Sequence, residues 1–138
     1  MKKIFLDTNV LLDVFAKREP FYNDAAQLWS LAENGKINAS ISAISFNNVY
    51  YIIRKAKGSD VADFSLRCLR DEFNVVDLTS QILNQAIDSK MRDFEDAIQY
   101  FSAGRADADF LITRNPEHFP RNDITVMTPD EFLAVHEG

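Results

Sequence analysis

The sequence is short of several things, and each shortage excludes something. It has a single cysteine, Cys68, in 138 residues. No internal disulfide is available, which fits a reducing compartment. Cys68 has no CxxC partner, and its surroundings, FSLRCLRDEF, read as a helix in which it packs. No apolar run approaches the roughly 20 residues that cross a bilayer. The start, MKKIFLDTNV, turns acidic too soon for a secretory leader, so the expectation is a cytoplasmic protein with no membrane partner. Four glycines and four prolines, with no linker, repeat or low-complexity tract, suit one domain over residues 1–138. Positive charge is in deficit: 15 Lys and Arg stand against 21 Asp and Glu, a net −6. The whole-molecule basic field of a non-specific nucleic-acid binder is therefore absent. One local exception, IIRKAKG, gathers Arg54, Lys55 and Lys57. It reads either as a solvated helix end, where cations favour the dipole, or as a substrate-binding patch. The two histidines, His118 and His136, show no metal spacing. There is no Ser-His-Asp set, P-loop or Gly-rich dinucleotide fingerprint.

What is present is an alternation. KIFLD is a short, buried-looking strand, and TNVLLDVFAK places Val10, Leu11, Val14 and Phe15 at helical spacing. EPFYNDAAQLWSLAENGK predicts a second helix, with Pro20 in its first turn and Gly35 just past its end. INASIS is a strand and SFNNVYYIIRKAKG a helix that stops at Gly58. Ser59 is the expected cap of DVADFSLRCLRDEF, and Thr79 or Ser80 of QILNQAIDSK, with the strand NVVDL between them. DFEDAIQYFSAG is a helix expected to end at Gly104. DFLIT and ITVM are strands, and TPDEFLAVHEG closes with Thr128, Pro129 and Glu131 arranged as a capping box. Five short strands alternating with helices argue for an α/β domain with a mostly parallel sheet covered on both faces.

In such a sheet, ligands bind beyond the carboxyl ends of the strands, where strand order reverses. Asp7 ends the first strand and belongs to that edge. Asn115, preceded by Thr113, lies just past the fourth. Helices that leave a carboxyl end start at the same edge, which brings in Asn47 and Asn48. The helix leading into strand four begins there with DFED. Asp93 and Asp96 are three apart and share a helix face, with Glu95 pointing elsewhere. Asp107 and Asp109 fall at the opposite edge, Asp109 about 13 Å from Thr113 at the usual strand rise, as turn or capping residues. Asp13 belongs to a solvated helix face. The remaining cluster is Asp7, Asp93 and Asp96, with Asn48 and Asn115 alongside. Hard oxygen donors on one edge suit Mg²⁺ or Mn²⁺. Such a metal lowers the pKa of a bound water and stabilises a phosphodiester transition state. Structural readings compete. Asp7 or Thr8 would cap the first helix, Asp93 its own helix, and Asn115 an Asx-turn before Pro116. For Asp7 ligation is favoured, because a carboxylate ending a buried strand is costly unpaired. For Asp93 the two readings are level. Trp29, Tyr50, Tyr51 and Tyr100 read as packing aromatics. A phosphorylated Asp7 would call for DxD, or for an acidic pair and a late lysine, and neither is present.

FLDTNVLLD, SAISFNNVYYIIRK, DFEDAIQYFSA and FLITRNPEHF, in that order and closed by TPDEFL, resemble the successive blocks of a PIN domain. The resemblance spans almost the whole chain and is nearest to the bacterial subgroup related to VapC-type toxins. It implies a three-layer α/β/α fold with a five-stranded parallel sheet. It also implies a Mg²⁺- or Mn²⁺-dependent endoribonuclease, the toxin of a toxin–antitoxin pair. Asp7 matches the first acid of the PIN metal site and Asp96 the third. Asn48 stands where many PIN domains have Glu, and Asn115 where many have Asp. Thr8 and Asn9 match the block following the first aspartate, and Thr113 the polar residue before the fourth position. The expected catalytic set is thus Asp7, Asp96, Asp93, Asn115 and Asn48, with Asp7, Asp96 and Asp93 on the metal. Two amides in place of carboxylates remove two negative charges, which favours one metal over two. The alternative is a PIN-like RNA- or protein-binding module of weak or no activity. Expected partners are an RNA substrate, an antitoxin that blocks the cleft, and a second copy in a homodimer.

Overall fold

The computed structural model describes residues 1–136; Glu137 and Gly138, the end of the closing TPDEFLAVHEG stretch, lie outside the described residues. The elements run β1 (Lys3–Leu6), α1 (Thr8–Phe15), α2 (Tyr22–Glu33), β2 (Asn38–Ser42), α3 (Ala43–Lys57), α4 (Ser59–Glu72), β3 (Asn74–Val76), α5 (Ser80–Asp88), α6 (Phe94–Arg105), β4 (Phe110–Ile112), a 3₁₀ turn (Pro116–His118), β5 (Thr125–Met127) and α7 (Pro129–Val135). The strands form one sheet in the order β3-β2-β1-β4-β5, and every pairing is parallel.

β1 is central because both its faces are apolar. Ile4 and Leu6 enter a core with Val10, Leu28, Ile41, Val49, Leu69 and Phe132, beneath α1 to α4 and α7. Phe5 points the other way, into a core with Ala103, Leu111 and Val126. There α6 and α5 cover the sheet, joined through Ile82, Ala97 and Ile98. The result is the expected three layers. Cover on the second face thins over the amino ends of β2 and β3. Asn74 Nδ2 donates to Asn38 Oδ1 there (2.7 Å), beside an open polar cleft of about 400 Å³.

Three boundaries differ from the sequence expectation. Pro20 lies in the turn before α2 rather than in its first turn. Gly58, not Ser59, is the N-cap of α4, and Ser59 is its first helical residue. Gly104 stays inside α6, and the left-handed position after the helix is taken by Asp107 (φ 57°). The Asp107 and Ala108 amides close that turn onto the Gly104 and Ala103 carbonyls, the Schellman arrangement that aspartate tolerates better than most residues. Gly35 (φ 68°) ends α2 in the same way, as expected.

The Thr128 cap is fully formed. Its hydroxyl accepts from the Glu131 amide (3.3 Å), and its own amide donates to Glu131 Oε1 (2.9 Å). Thr128→Ala is expected to lower stability by about 1 kcal/mol. Urea unfolding would show this as a lower midpoint at unchanged slope. An unchanged midpoint would mean that α7 is held by Phe132 burial alone.

Candidate active site at the β1–β4 edge

The order β3-β2-β1-β4-β5 reverses between β1 and β4, so the crevice that such a reversal opens lies beyond Leu6 and Ile112. Asp7 sits at that point. Its amide still donates to the Ile112 carbonyl (3.0 Å), continuing the ladder, while its carboxylate begins α1 as N-cap. Oδ1 accepts from the Thr8 amide (2.7 Å) and Oδ2 from the Thr113 hydroxyl (2.8 Å). A carboxylate offers about four acceptor positions. Two are used, and no cation pairs with Asp7 among the described residues. Burial, assisted by the charges of Asp96 and Glu95, pushes Asp7 up from 3.8 to about 6, against the lowering effect of the Thr113 and Thr8 hydrogen bonds.

Thr113 is saturated. Its one proton goes to Asp7, and its oxygen accepts from the Asn115 amide (3.1 Å) and from Asn9 Nδ2 (3.4 Å). Asn9 Oδ1 in turn accepts from the Arg114 amide (3.4 Å). The two motifs DTN and TRN are therefore stitched across β1 and β4. Below Asp7 a buried polar chain continues: Thr8 and Ser45 hydroxyls meet at 2.7 Å, and Gln99 Nε2 donates to Thr8 Oγ1 (3.0 Å).

The crevice has a volume of about 320 Å³. Asp7, Thr8 and Asn9 line one side, Asn48, Tyr51 and Ile52 of α3 another, and Glu95, Asp96 and Gln99 of α6 a third. Asp96 is pushed above the ordinary carboxylate range by burial first and by Asp93, with His118 pulling it down. His118 Nδ1 stands 3.4 Å from Asp96 Oδ2. Among the described residues, no three His, Cys, Asp or Glu side chains are gathered closely enough to form a metal shell by themselves. A cation here would take Asp7 and Asp96 together with amide, hydroxyl or water oxygens. The donor chemistry fits a hard divalent ion: two carboxylates raised by burial and by neighbouring acids, and no Lys, Arg or His on the crevice wall.

Not every expected residue arrives. Asp93 is the N-cap of α6, its carboxylate accepting from the Asp96 amide (2.9 Å). It borders a neighbouring hollow with Asp96 and His118 rather than the crevice. Asn115 meets the site through its amide, and its side chain is not on the crevice wall. Asn48 is on the wall, from the second turn of α3. Glu95, expected to point elsewhere, lines the crevice. Tyr51, expected to pack, is 62 % exposed at its rim; Trp29 does pack, edge-on to Phe15 and Phe73. Asp13, expected on a solvated face, is fully buried, and Arg114 Nε stands 3.1 Å from its Oδ2. Sequence reasoning also passed over Ser45 and Gln99. Ser45 carried no signal, but Gln99 lies one helical turn from both Glu95 and Asp96.

Known proteins share the family profile and the fold. The PIN domain profile matches residues 3–117. Ribonuclease VapC1 of Aquifex aeolicus (strain VF5) is 27 % identical over 135 residues, covering 95 % of this chain and 93 % of that protein. A toxin–antitoxin complex from Klebsiella pneumoniae superposes with a TM-score of 0.68 at 25 % identity, over 91 % of this chain and 97 % of the other. DNA-bound VapBC from Salmonella typhimurium superposes at 0.69 with 18 % identity, over 94 % and 99 %, a likeness of fold alone. With Asp7 at the strand reversal, Asp96 across from it and a profile match from β1 past β4, this chain belongs to the PIN domain family.

Proposed function

We propose that this protein is a divalent-metal-dependent endoribonuclease, the toxin of a toxin–antitoxin pair, working in the cytoplasm on an RNA substrate. The observation that carries this reading is the uncompensated acidity of the crevice. Three carboxylates, Asp7, Glu95 and Asp96, line one crevice with no cationic side chain in its lining. A phosphodiester would be repelled there unless a cation intervened. Asp7 and Asp96 are the residues to hold that ion, Mg²⁺ or Mn²⁺, with Asn48 or Glu95 alongside and Asp93 within reach of Asp96. Once bound, the ion supplies an activated water and offsets the charge that builds on the phosphoryl oxygens.

The chain's own residues do the rest. Thr8 and Thr113 fix both oxygens of Asp7, leaving its free acceptor positions toward the crevice. Gln99 and Ser45 hold Thr8 from behind. His118 restrains Asp96 from the side of the neighbouring hollow. The likeness to Ribonuclease VapC1 supports the ribonuclease reading, and the likeness to the Klebsiella pneumoniae toxin–antitoxin complex supports a protein partner. No helix among the described residues is long and apolar enough to cross a membrane.

Purified protein is expected to cut single-stranded RNA in Mg²⁺ or Mn²⁺, to fall to background in EDTA, and to recover on metal add-back. Cleavage that persists in EDTA would refute the proposal. The thin carboxylate count among the described residues, with amides at Asn48 and Asn115, favours a second reading: an RNA- or protein-binding PIN module without catalysis. Calorimetry separates the two. Absent Mn²⁺ binding at millimolar concentration, with RNA affinity kept, would select the binding module.

A further inference from the structure

The rim of the crevice carries a feature that the acid cluster does not use. On α3, Asn48, Tyr51, Ile52 and Lys55 recur at i, i+3, i+4 and i+7, one continuous stripe. Asn48 lies in the acidic crevice. Tyr51 and Ile52 line both that crevice and an adjoining surface hollow, whose remaining wall is Arg54 and Lys55. The stripe covers about 10 Å of helix from Asn48 to Lys55. Tyr51 and Ile52 are 62 % and 40 % exposed, an apolar pair left partly open to solvent among the described residues. Arg54 lies over the Tyr50 ring at 6.0 Å, which limits its excursions. Among the described residues neither Arg54 nor Lys55 pairs with a carboxylate, in a chain whose net charge is −6.

We propose that Tyr51, Arg54 and Lys55 form a track that holds single-stranded RNA and delivers it to the acidic crevice, Tyr51 stacking a base and the two cations taking phosphates. This rests on the ribonuclease reading and names where its substrate runs. An aromatic ring beside unpaired cations, continuous with a crevice suited to phosphodiester chemistry, is the composition with which proteins hold single strands without reading sequence. A second copy of the chain fits the same face poorly. A two-fold interface centred on the patch would set Arg54 and Lys55 against their own counterparts.

The test is binding of the full chain to a fluorescein-labelled single-stranded RNA oligonucleotide in EDTA, where nothing is cut, across a salt series. Arg54→Ala/Lys55→Ala is expected to lower the log affinity–log salt slope by about 1.4, from about 0.7 per phosphate contact on a single strand. Tyr51→Ala is expected to weaken binding about five-fold or more at unchanged slope, with Tyr51→Phe close to wild type. All three side chains are at the surface, so unaltered melting curves will certify the fold. Affinity and slope unchanged in every variant would overturn the proposal. So would a dimer, seen by sedimentation, that these variants weaken while RNA binding stays intact. The RNA track and the nuclease reading fail separately. RNA binding that depends on Tyr51, Arg54 and Lys55 in a protein that never cleaves keeps the track and sinks the nuclease. Metal-dependent cleavage with binding indifferent to these residues does the reverse.

Discussion

Asp7→Asn is expected to abolish RNA cleavage and, in the same protein, to raise the stability of the metal-free fold. The loss of activity should exceed the roughly 10–100-fold that removing an outer-shell partner costs, because Asp7 is the carboxylate held at both oxygens toward the crevice. The gain in stability comes from the same burial. Asp7 rises from 3.8 to about 6 on folding, so the folded protein binds the proton more tightly than the unfolded chain. Stability from this group is complete below about pH 4 and is lost as pH rises through about 6. The full difference corresponds to about 3 kcal/mol at ~1.4 kcal/mol per tenfold in proton affinity. An amide in the same place carries no charge to desolvate. The advantage of Asp7→Asn in EDTA should therefore be near zero in acid and about 2–3 kcal/mol at neutral pH. Thermal melts of both proteins across this range make the comparison. Retained cleavage, or a variant less stable at neutral pH, would show that Asp7 is a structural cap.

The second large effect belongs to the Asp13–Arg114 pair. Asp13 has no solvent contact, and neither of its oxygens accepts a hydrogen bond. Its compensation is the Arg114 guanidinium, 3.1 Å away at an angle too poor for a hydrogen bond, with Arg18 adding a weaker field. Arg114 is itself pinned over the Phe21 ring at 4.3 Å. Arg114→Met would strand a buried carboxylate and is expected to cost about 3 kcal/mol. Burial already raises Asp13, and loss of Arg114 raises it further. The protonated form then escapes the penalty, so the loss should be smaller near pH 5 than at neutral pH. Asp13→Leu combined with Arg114→Met should recover most of the stability, since replacing a buried pair by apolar groups is often neutral. A double-mutant cycle in urea reads the coupling. A single variant that costs nothing at neutral pH would mean that the pair is idle.

The fold was legible because its signals are local. Ile4, Phe5 and Leu6 give the central strand, and Gly35, Thr79 and Thr128 mark helix ends by chemistry that works within four residues. Asp7 and Thr113 were found by a topological rule that needs only strand ends. The failures need information from elsewhere in the chain. Asp13 looks the same in sequence whether solvated or buried; what decides is Arg114, about a hundred residues on. The reading of Asp93 and Asp96 as one face assumed helical geometry at both. Asp93, however, is an N-cap in extended conformation (φ −112°, ψ 126°). Counting from Phe94, the inward stripe becomes Glu95, Asp96 and Gln99, which is why Glu95 enters the crevice. Residue type alone makes Tyr51 look like a packing aromatic. Its place one turn beyond Asn48 on α3 was the better guide.

The stitching of β1 to β4 has a consequence for how the protein is made. Asp7 and the hydroxyl that orients it are 106 positions apart, and Asp96 also follows long after Asp7. During synthesis Asp7 is followed by about a hundred residues before Thr113 appears, with only the Thr8 amide to hold it. Only when Thr113 has left the ribosome and β4 has docked beside β1 does the crevice exist, a long-range closure of the kind that folds slowly. A chain interrupted before that point has Asp7 but no site. The crevice is thus assembled by docking β4 beside β1, and not by either strand alone.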